Sequence, residues 1–298
     1  EEKYFFVRNA EPGYTFYERG VVDGEKYRDF IEAGDARPFG PIFYYLLRDQ
    51  AKEVNLAILD AAGNEIRTWS KDEIPTERFA SFDNRGYGQD LVTGQPAVNV
   101  GAGLNRFVWD MRYPPVSSIP GLPPVIINPI AAPGTYQVRL TVDGEVQTQS
   151  FEMKINPNET YTRAETDAKK ETWMALYEKA EEGVQAVLRA QKAREKFSAA
   201  AEGTGREADQ AKKIVDLATE FEASMVATGT TLVQIISEPT KPLSLLVTLH
   251  NVQEHSEGPP NQPWLEVFEK VAGEMDSKIA EFDASLEREM RKLGESSR

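Results

Sequence analysis

Side chains that could perform catalysis or hold a metal are few in this sequence, and their spacing matches no established site. The chain has no cysteine and two histidines, His250 and His255, five residues apart. Two histidines that bind one metal from a single helix face need a separation of four. We therefore expect surface histidines here, while thiolate metal sites, iron–sulfur clusters and cysteine nucleophiles are excluded.

A glycine-rich stretch offers the best-placed carboxylates. Asp83 and Asp90 lie in the segment FDNRGYGQD, and their oxygens are of the kind that Ca²⁺ prefers. The spacing differs from that of an EF-hand loop, and Asp, Asn and Gly also favour ordinary turns. The chain has no phosphate-binding loop, no Gly-x-Ser-x-Gly elbow and no His-Glu-x-x-His motif. We expect no catalytic residue, no metal and no cofactor.

Composition narrows the class of partner. The 298 residues include 34 Lys and Arg against 48 Asp and Glu, a formal net charge of −14. Binding to nucleic acid or to an anionic membrane surface is driven by Lys and Arg, so neither partner is expected. No apolar run approaches the 18 residues of a membrane-spanning helix. The sequence starts at Glu1 without a signal core, which we interpret as a processed form or a fragment of an exported, extracytoplasmic and specifically periplasmic protein.

The sequence predicts two domains, because its pattern of apolar residues changes near residue 158. Any functional site must be positioned by these two domains. Upstream, short alternating apolar runs are separated by Gly and Pro; in 135–142 (TYQVRLTV), Tyr136, Val138 and Leu140 share one face, and Asp143-Gly144 predicts a tight turn. Six or seven such strands predict an α+β multidomain protein that begins with an Ig-like antiparallel β-sandwich. We assign 1–37 to an aromatic-rich extension and 38–158 to the sandwich.

Residues 159–298 are predicted to form an antiparallel α-helical bundle. Thr162 and Glu165 match a capping box, and Thr204 with Glu207 matches a second helix start. A third, shorter helix is predicted over 243–252. In the last helix a seven-residue apolar repeat predicts a seam against partner helices; its members are Leu265, Phe268, Ala272, Met275, Ile279, Phe282, Leu286 and Leu293.

Two apolar segments are the candidates for binding a partner protein. The loop 114–133 (PPVSSIPGLPPVIINPIAAP) has no charged residue, so it either packs on the helices or contacts another protein, and we favour the second. Its candidate contacts are Ile119, Leu122, Val125, Ile126 and Ile127. The N-terminal aromatics either lie over their own sandwich or anchor a partner chain; they are Tyr4, Phe5, Phe6, Tyr14, Phe16 and Tyr17.

Several strand blocks, in order, carry a resemblance to a known family. They are GPIFYYLL, VNLAILDAAGNEIRTW, GLNRFVWDMRY, IAAPGTYQVRLTVDG and QSFEMKINP. Together they resemble the module that follows the propeller in bacterial BNR-repeat, sortilin-like (VPS10-type) "glycosyl hydrolase" proteins. The helices, with SLLVTLHNVQ and PPNQPW, are similar to the region that closes those proteins. The resemblance covers roughly residues 38–290 and lacks the propeller, so it implies a propeller-less relative or fragment and transfers no catalysis.

Three functions follow as hypotheses. The first is a non-catalytic extracytoplasmic scaffold subunit that docks onto other protein subunits of a membrane-anchored assembly, one candidate host being a bacterial photosynthetic reaction-centre–light-harvesting complex. The second is an accessory domain that contacts glycan or holds a propeller in a sialidase-like protein. The third, a hydrolase, has no identified residues. Fold analogy alone does not name the partner.

Overall fold

A computed structural model describes ten strands and four helices within part of the chain. The described residues are 17–22, 25–30, 40–72, 78–79, 91–92, 97–121, 125, 127–155, 161–227, 241–254 and 258–296, with backbone alone in 17–22, 25–30, 78–79, 91–92 and 295–296. The fold is α+β with antiparallel sheets. It divides into a β unit of Glu1–Pro75, Gly94–Arg112 and Ala131–Thr160, and a helical unit made of the remainder.

The strands pair antiparallel throughout. Four of them form a sheet in the order β10–β9–β4–β5, and β3 pairs with β8 in a second sheet; β1–β2 and β6–β7 are separate pairs. Their bounds are β1 Tyr17–Val22, β2 Glu25–Phe30, β3 Ile42–Leu47, β4 Val54–Leu59, β5 Glu65–Trp69, β6 Arg78–Phe79, β7 Leu91–Val92, β8 Gly103–Val108, β9 Gly134–Val142 and β10 Glu145–Met153.

Short polar turns set the register of the four-stranded sheet. The predicted hairpin between β9 and β10 is confirmed, with Val142 paired to Glu145 across Asp143-Gly144. Asp143 also accepts hydrogen bonds from the backbone nitrogens of Lys52 and Glu53, at 3.0 and 2.9 Å, so the turn is tied to the start of β4. A carboxylate that accepts several backbone N–H groups replaces the water those groups lose on folding.

Aromatic side chains join the two sheets. Phe43 of β3 contacts Phe151 of β10 with ring centroids 5.1 Å apart, and Phe107 of β8 contacts Trp69 of β5 at 5.0 Å. Trp109 is fully buried although β8 ends at Val108, one residue before it. The strand block GLNRFVWDMRY runs on to Tyr113 in the sequence, but a positive φ at Met111 turns the chain before that residue.

The helical unit contains α1 Arg163–Ala201, α2 Arg206–Met225, α3 Pro242–Glu254 and α4 Gln262–Ser296. The capping box predicted at Thr162 is confirmed: its side chain and that of Glu165 each bond the other's backbone nitrogen. The cap predicted at Thr204 is wrong, because Gly205 occupies the cap position of α2 without a side-chain hydrogen bond.

The apolar repeat of α4 faces the core of this unit. Met275, Ile279 and Phe282 are buried, and the Phe282 ring stacks on Phe221 of α2 with centroids 4.2 Å apart. Gly183 of α1 lies where a Cβ atom would come within 2.3 Å of Met275 Cε. The small residue therefore leaves room for the end of the Met275 side chain against α1.

Candidate interaction surfaces

The proline-rich loop is part of the helical unit's own core. Residues 113–130 cluster with the helices, not with the β unit to which the sequence assigned them. Ile119 is 2% exposed and Ile127 is fully buried, and both share an apolar cluster with Val184 of α1 and Leu246 of α3. Val125 belongs to the same cluster. The expectation that Ile119, Val125 and Ile127 form an exposed docking surface is therefore wrong. Helices of the same chain bury these apolar side chains and so remove them from water.

Polar contacts fasten this loop to α1. The Glu181 carboxylate accepts hydrogen bonds from the Ser117 backbone nitrogen and hydroxyl, at 2.7 and 2.6 Å. The Gln191 side chain donates to the Pro120 carbonyl oxygen at 3.2 Å. Burial alone would raise the pKa of Glu181, but the bonds from Ser117 and Gln185 outweigh burial and lower it. The ionised form of Glu181 therefore helps to hold the loop on α1.

Most of the remaining predicted contact residues lie outside the described part of the chain. Leu122, Ile126, Tyr4, Phe5, Phe6, Tyr14 and Phe16 lie outside the described residues, as do Asp83, Asp90 and His255. Tyr17 begins β1, where the backbone alone is described. The sequence hypothesis for the N-terminal aromatics therefore stays a prediction.

One exposed apolar surface was not singled out from the sequence. The outward side of β3 and β8 carries Tyr44, Leu46 and Leu104, which are 57%, 71% and 72% exposed. Leu46 and Leu104 are directly opposite in the register, and Tyr44 is opposite Arg106. We call these four residues the outer β3–β8 face. The signal was present in the run PIFYYLL, which is apolar at both odd and even positions, whereas a strand with one solvated face alternates.

A groove opens along β3, between this strand and the sheet that contains β9 and β10. It has a volume of about 1130 Å³ and is lined by the whole of β3, by alternate residues of β9 and by part of β10. Val138 and Leu140 of β9 are half-buried, and Gln147 and Gln149, their partners on β10, are exposed. The cause is a mismatch in strand number, since two described strands face a sheet of four.

The polar groups that could hold a metal do not assemble into a site within the described residues. No cluster of three or more His, Cys, Asp or Glu side chains occurs there. His250 is buried, with its ring 5.9 Å from that of Trp173 and its Nε2 atom 3.4 Å from Glu254. The expectation that it is a surface histidine is wrong, because α3 packs His250 against Trp173 of α1.

No helix among the described residues combines the length and apolar character that crossing a bilayer requires. Comparison with protein-family models, with curated proteins and with solved structures finds no match for the chain.

Proposed function

We propose that this protein is a non-catalytic scaffold subunit that binds another protein through the outer β3–β8 face. The observation that carries the proposal is the exposure of Leu46 and Leu104, two leucines directly opposite each other on a described two-stranded sheet. Exposed apolar side chains of this size are normally single and scattered on a monomer, and clustering marks contact sites. Arg106 at the edge of the patch supplies a charged, directional contact of the kind common at interfaces.

The proposed architecture is an Ig-like β-sandwich followed by an antiparallel helical bundle, related to the module that follows the propeller in bacterial BNR-repeat, sortilin-like proteins. A tyrosine contact supports the sandwich: the Tyr136 hydroxyl donates to the Ala132 carbonyl oxygen four residues upstream, at 2.6 Å. Such a corner at the start of a strand is characteristic of Ig-like sandwiches. Interdigitated apolar residues of α1, α2 and α4 support the bundle.

The proposed setting is the periplasm, on a membrane-anchored assembly of other protein subunits, of which a photosynthetic reaction-centre–light-harvesting complex is one example. An acidic chain with a compact apolar patch suits a peripheral subunit, because it avoids anionic lipid while retaining a contact surface. The binding energy then comes from a small buried centre, as at most protein interfaces.

The experiment compares the wild-type chain with Leu46→Asp/Leu104→Asp after each is tagged and recovered from solubilised membranes of the native source. The proposal expects a defined set of membrane subunits with the wild type and at least a tenfold loss with the double variant. Val146→Asp is the matched control, since Val146 is 58% exposed on β10 of the other sheet. Equal recovery with all three proteins refutes the outer β3–β8 face as the docking surface.

A glycan-contacting role is the alternative, and a further variant of the same face tests it. Glycan platforms use exposed aromatic rings with nearby hydrogen-bonding groups, and Tyr44 is the single exposed aromatic among the described side chains. A glycan array on the wild type and on Tyr44→Ala separates the two functions. Binding that disappears with Tyr44→Ala, together with no protein partner, would replace the scaffold proposal.

A further inference from the structure

One charged side chain lies within the two strands that form the outer β3–β8 face. β3 (IFYYLL) has no charged residue, and β8 (GLNRFV) has Arg106 alone. Arg106 is exposed and lies directly opposite Tyr44 in the register, and directly opposite residues have Cβ atoms about 5 Å apart. Tyrosine and arginine are among the residues that dominate binding energy at protein interfaces, where surrounding contacts exclude water from them.

Arg106 makes no ion pair within the described part of the chain. Two other arginines of the β unit are paired, Arg67 with Asp110 at 3.3 Å and Arg139 with Glu65 at 2.7 Å. The sequence has 48 acidic residues against 34 Lys and Arg, so a shortage of carboxylates does not explain the difference. The guanidinium of Arg106 is therefore exposed beside apolar side chains, where it can donate hydrogen bonds to a carboxylate of another molecule.

The charges next to this face do not cancel that of Arg106. Arg48 and Asp49 follow β3 together, so the two residues add no net charge. The other carboxylates that line the groove along β3 belong to β10 and the turn before it, in the other sheet; they are Asp143, Glu145 and Glu152. The outer β3–β8 face itself therefore carries one positive charge, although the whole chain carries a net charge of −14.

A single arginine in an apolar surface fits a protein carboxylate better than a polyanion. A guanidinium binds a carboxylate through two parallel N–H···O hydrogen bonds, which fix the direction of approach as well as the sign of the charge. Anionic lipid surfaces are bound by clusters of about four to eight Lys and Arg, and nucleic acid also requires several phosphate contacts. A chain of net charge −14 is repelled by both polyanions.

We propose that the partner protein presents an Asp or Glu carboxylate to Arg106, within an apolar surface that packs on Leu46 and Leu104. This inference rests on the docking function proposed above and names the chemistry of the partner. The leucines exclude water from the ion pair, which strengthens it. Because the acidic chain repels a strongly acidic surface, the partner's carboxylate is a single anchor and not part of an acidic patch.

The test changes the charge on each side of the contact in turn. The tagged full chain carries Arg106→Gln or Arg106→Lys, and Arg139→Gln is the matched control in the other sheet. The probe is solubilised membrane from the native source, either with its carboxylates converted to neutral amides by carbodiimide and ethanolamine or with its amines acetylated as the control treatment. Mass spectrometry quantifies the subunits recovered, and circular dichroism checks that each variant is folded.

Arg106→Gln should reduce recovery at least tenfold, and Arg106→Lys should reduce it less, because lysine keeps the charge but lacks the two-pronged donor. Blocking the carboxylates should reduce recovery by wild type to the same extent, whereas Arg139→Gln and blocked amines should change it less than twofold.

Three results would overturn the proposal, and they separate it from the docking function. Recovery that falls with Leu46→Asp/Leu104→Asp but not with Arg106→Gln keeps the docking surface and overturns the carboxylate anchor. Recovery that the leucine variant also retains refutes both. Sedimentation of wild type with phosphatidylglycerol vesicles that Arg106→Gln abolishes would assign Arg106 to lipid phosphate instead of a protein carboxylate.

Discussion

Glu181 of α1 accepts hydrogen bonds from both the backbone nitrogen and the hydroxyl of Ser117, at 2.7 and 2.6 Å. The two residues are 64 positions apart, and their contact fastens the proline-rich loop onto the first helix. Val116, immediately before Ser117, is buried with Ile127 in the core of the helical unit. A polar anchor at the rim of an apolar contact keeps the loop's backbone donor paired when water is excluded.

Glu181→Ala should lower the free energy of unfolding by about 1–3 kcal/mol, because it leaves the Ser117 backbone N–H without its acceptor. The measurement is urea unfolding of the helical signal by circular dichroism at pH 7. Glu178→Ala is the control, since Glu178 is exposed on the same helix. Equal stability of both variants would show that this anchor contributes nothing measurable.

Ile127→Ala should destabilise the protein by about 2–5 kcal/mol, the range for truncating a large buried aliphatic side chain. Ile127 is fully buried among Val116, Leu246 and other core residues. Thermal unfolding by calorimetry measures the effect, with Val146→Ala on the surface as control. A melting temperature that stays within a degree or two of wild type would return the loop to the role of an exposed docking segment.

Gly40→Ala should be severely destabilising, by at least about 3 kcal/mol, because strain and overlap add. The φ angle of Gly40 is +113°, and a Cβ atom there would lie 1.8 Å from the carbonyl oxygen of Trp109. Gly63→Ala separates the two causes: its φ is +89°, but no atom lies within 4 Å of the added Cβ. We expect about 1–2 kcal/mol there, from conformational strain alone.

A larger loss at Gly40 than at Gly63, measured by urea unfolding of the β signal, is the diagnostic result. Similar losses at the two glycines would mean that the chain between Gly40 and Trp109 adjusts without cost.

Glu289 should make the helical unit sensitive to acid. Hydrogen bonds from Lys292 and Gln210 hold its pKa down to about 2, against an ordinary value of 4.5. A carboxyl with a lowered folded-state pKa stabilises the fold above its unfolded pKa, and the contribution is lost as the pH falls through the folded pKa. This contribution is therefore complete above about pH 4.5 and declines between pH 4.5 and 2.

Glu289→Gln should cost about 1–2 kcal/mol at pH 7, the scale of a lost charge-assisted hydrogen bond. The difference from wild type should shrink as the pH is lowered from 4.5 toward 2, which urea unfolding at several pH values measures. Glu287→Gln serves as control, because Glu287 is largely exposed and pairs with Arg291 on the helix surface. A difference that does not change with pH would contradict the assignment to Glu289 ionisation.

Local patterns in the sequence were sufficient for much of the fold. The alternation in 135–142 with Asp143-Gly144 determines β9, its turn and β10, because strand periodicity and turn conformation depend on neighbouring residues. The capping box at Thr162 and the apolar repeat of α4 likewise determine where α1 starts and which side of α4 is buried. Each of these features depends on the spacing of residues within a single strand, turn or helix.

Which side chains are exposed and which are buried was decided only by the tertiary structure. The apolar side chains of an uncharged loop such as 114–133 must be buried against another surface. Nothing within the loop indicates whether that surface belongs to a partner protein or to α1 of the same chain. Glu181, which supplies the anchor, is 64 residues away from Ser117. His250 is buried for the same reason, because α3 packs it toward Trp173 of α1. The outer β3–β8 face and the groove also depend on how many strands each sheet recruits, which is a property of long-range pairing and not of local periodicity.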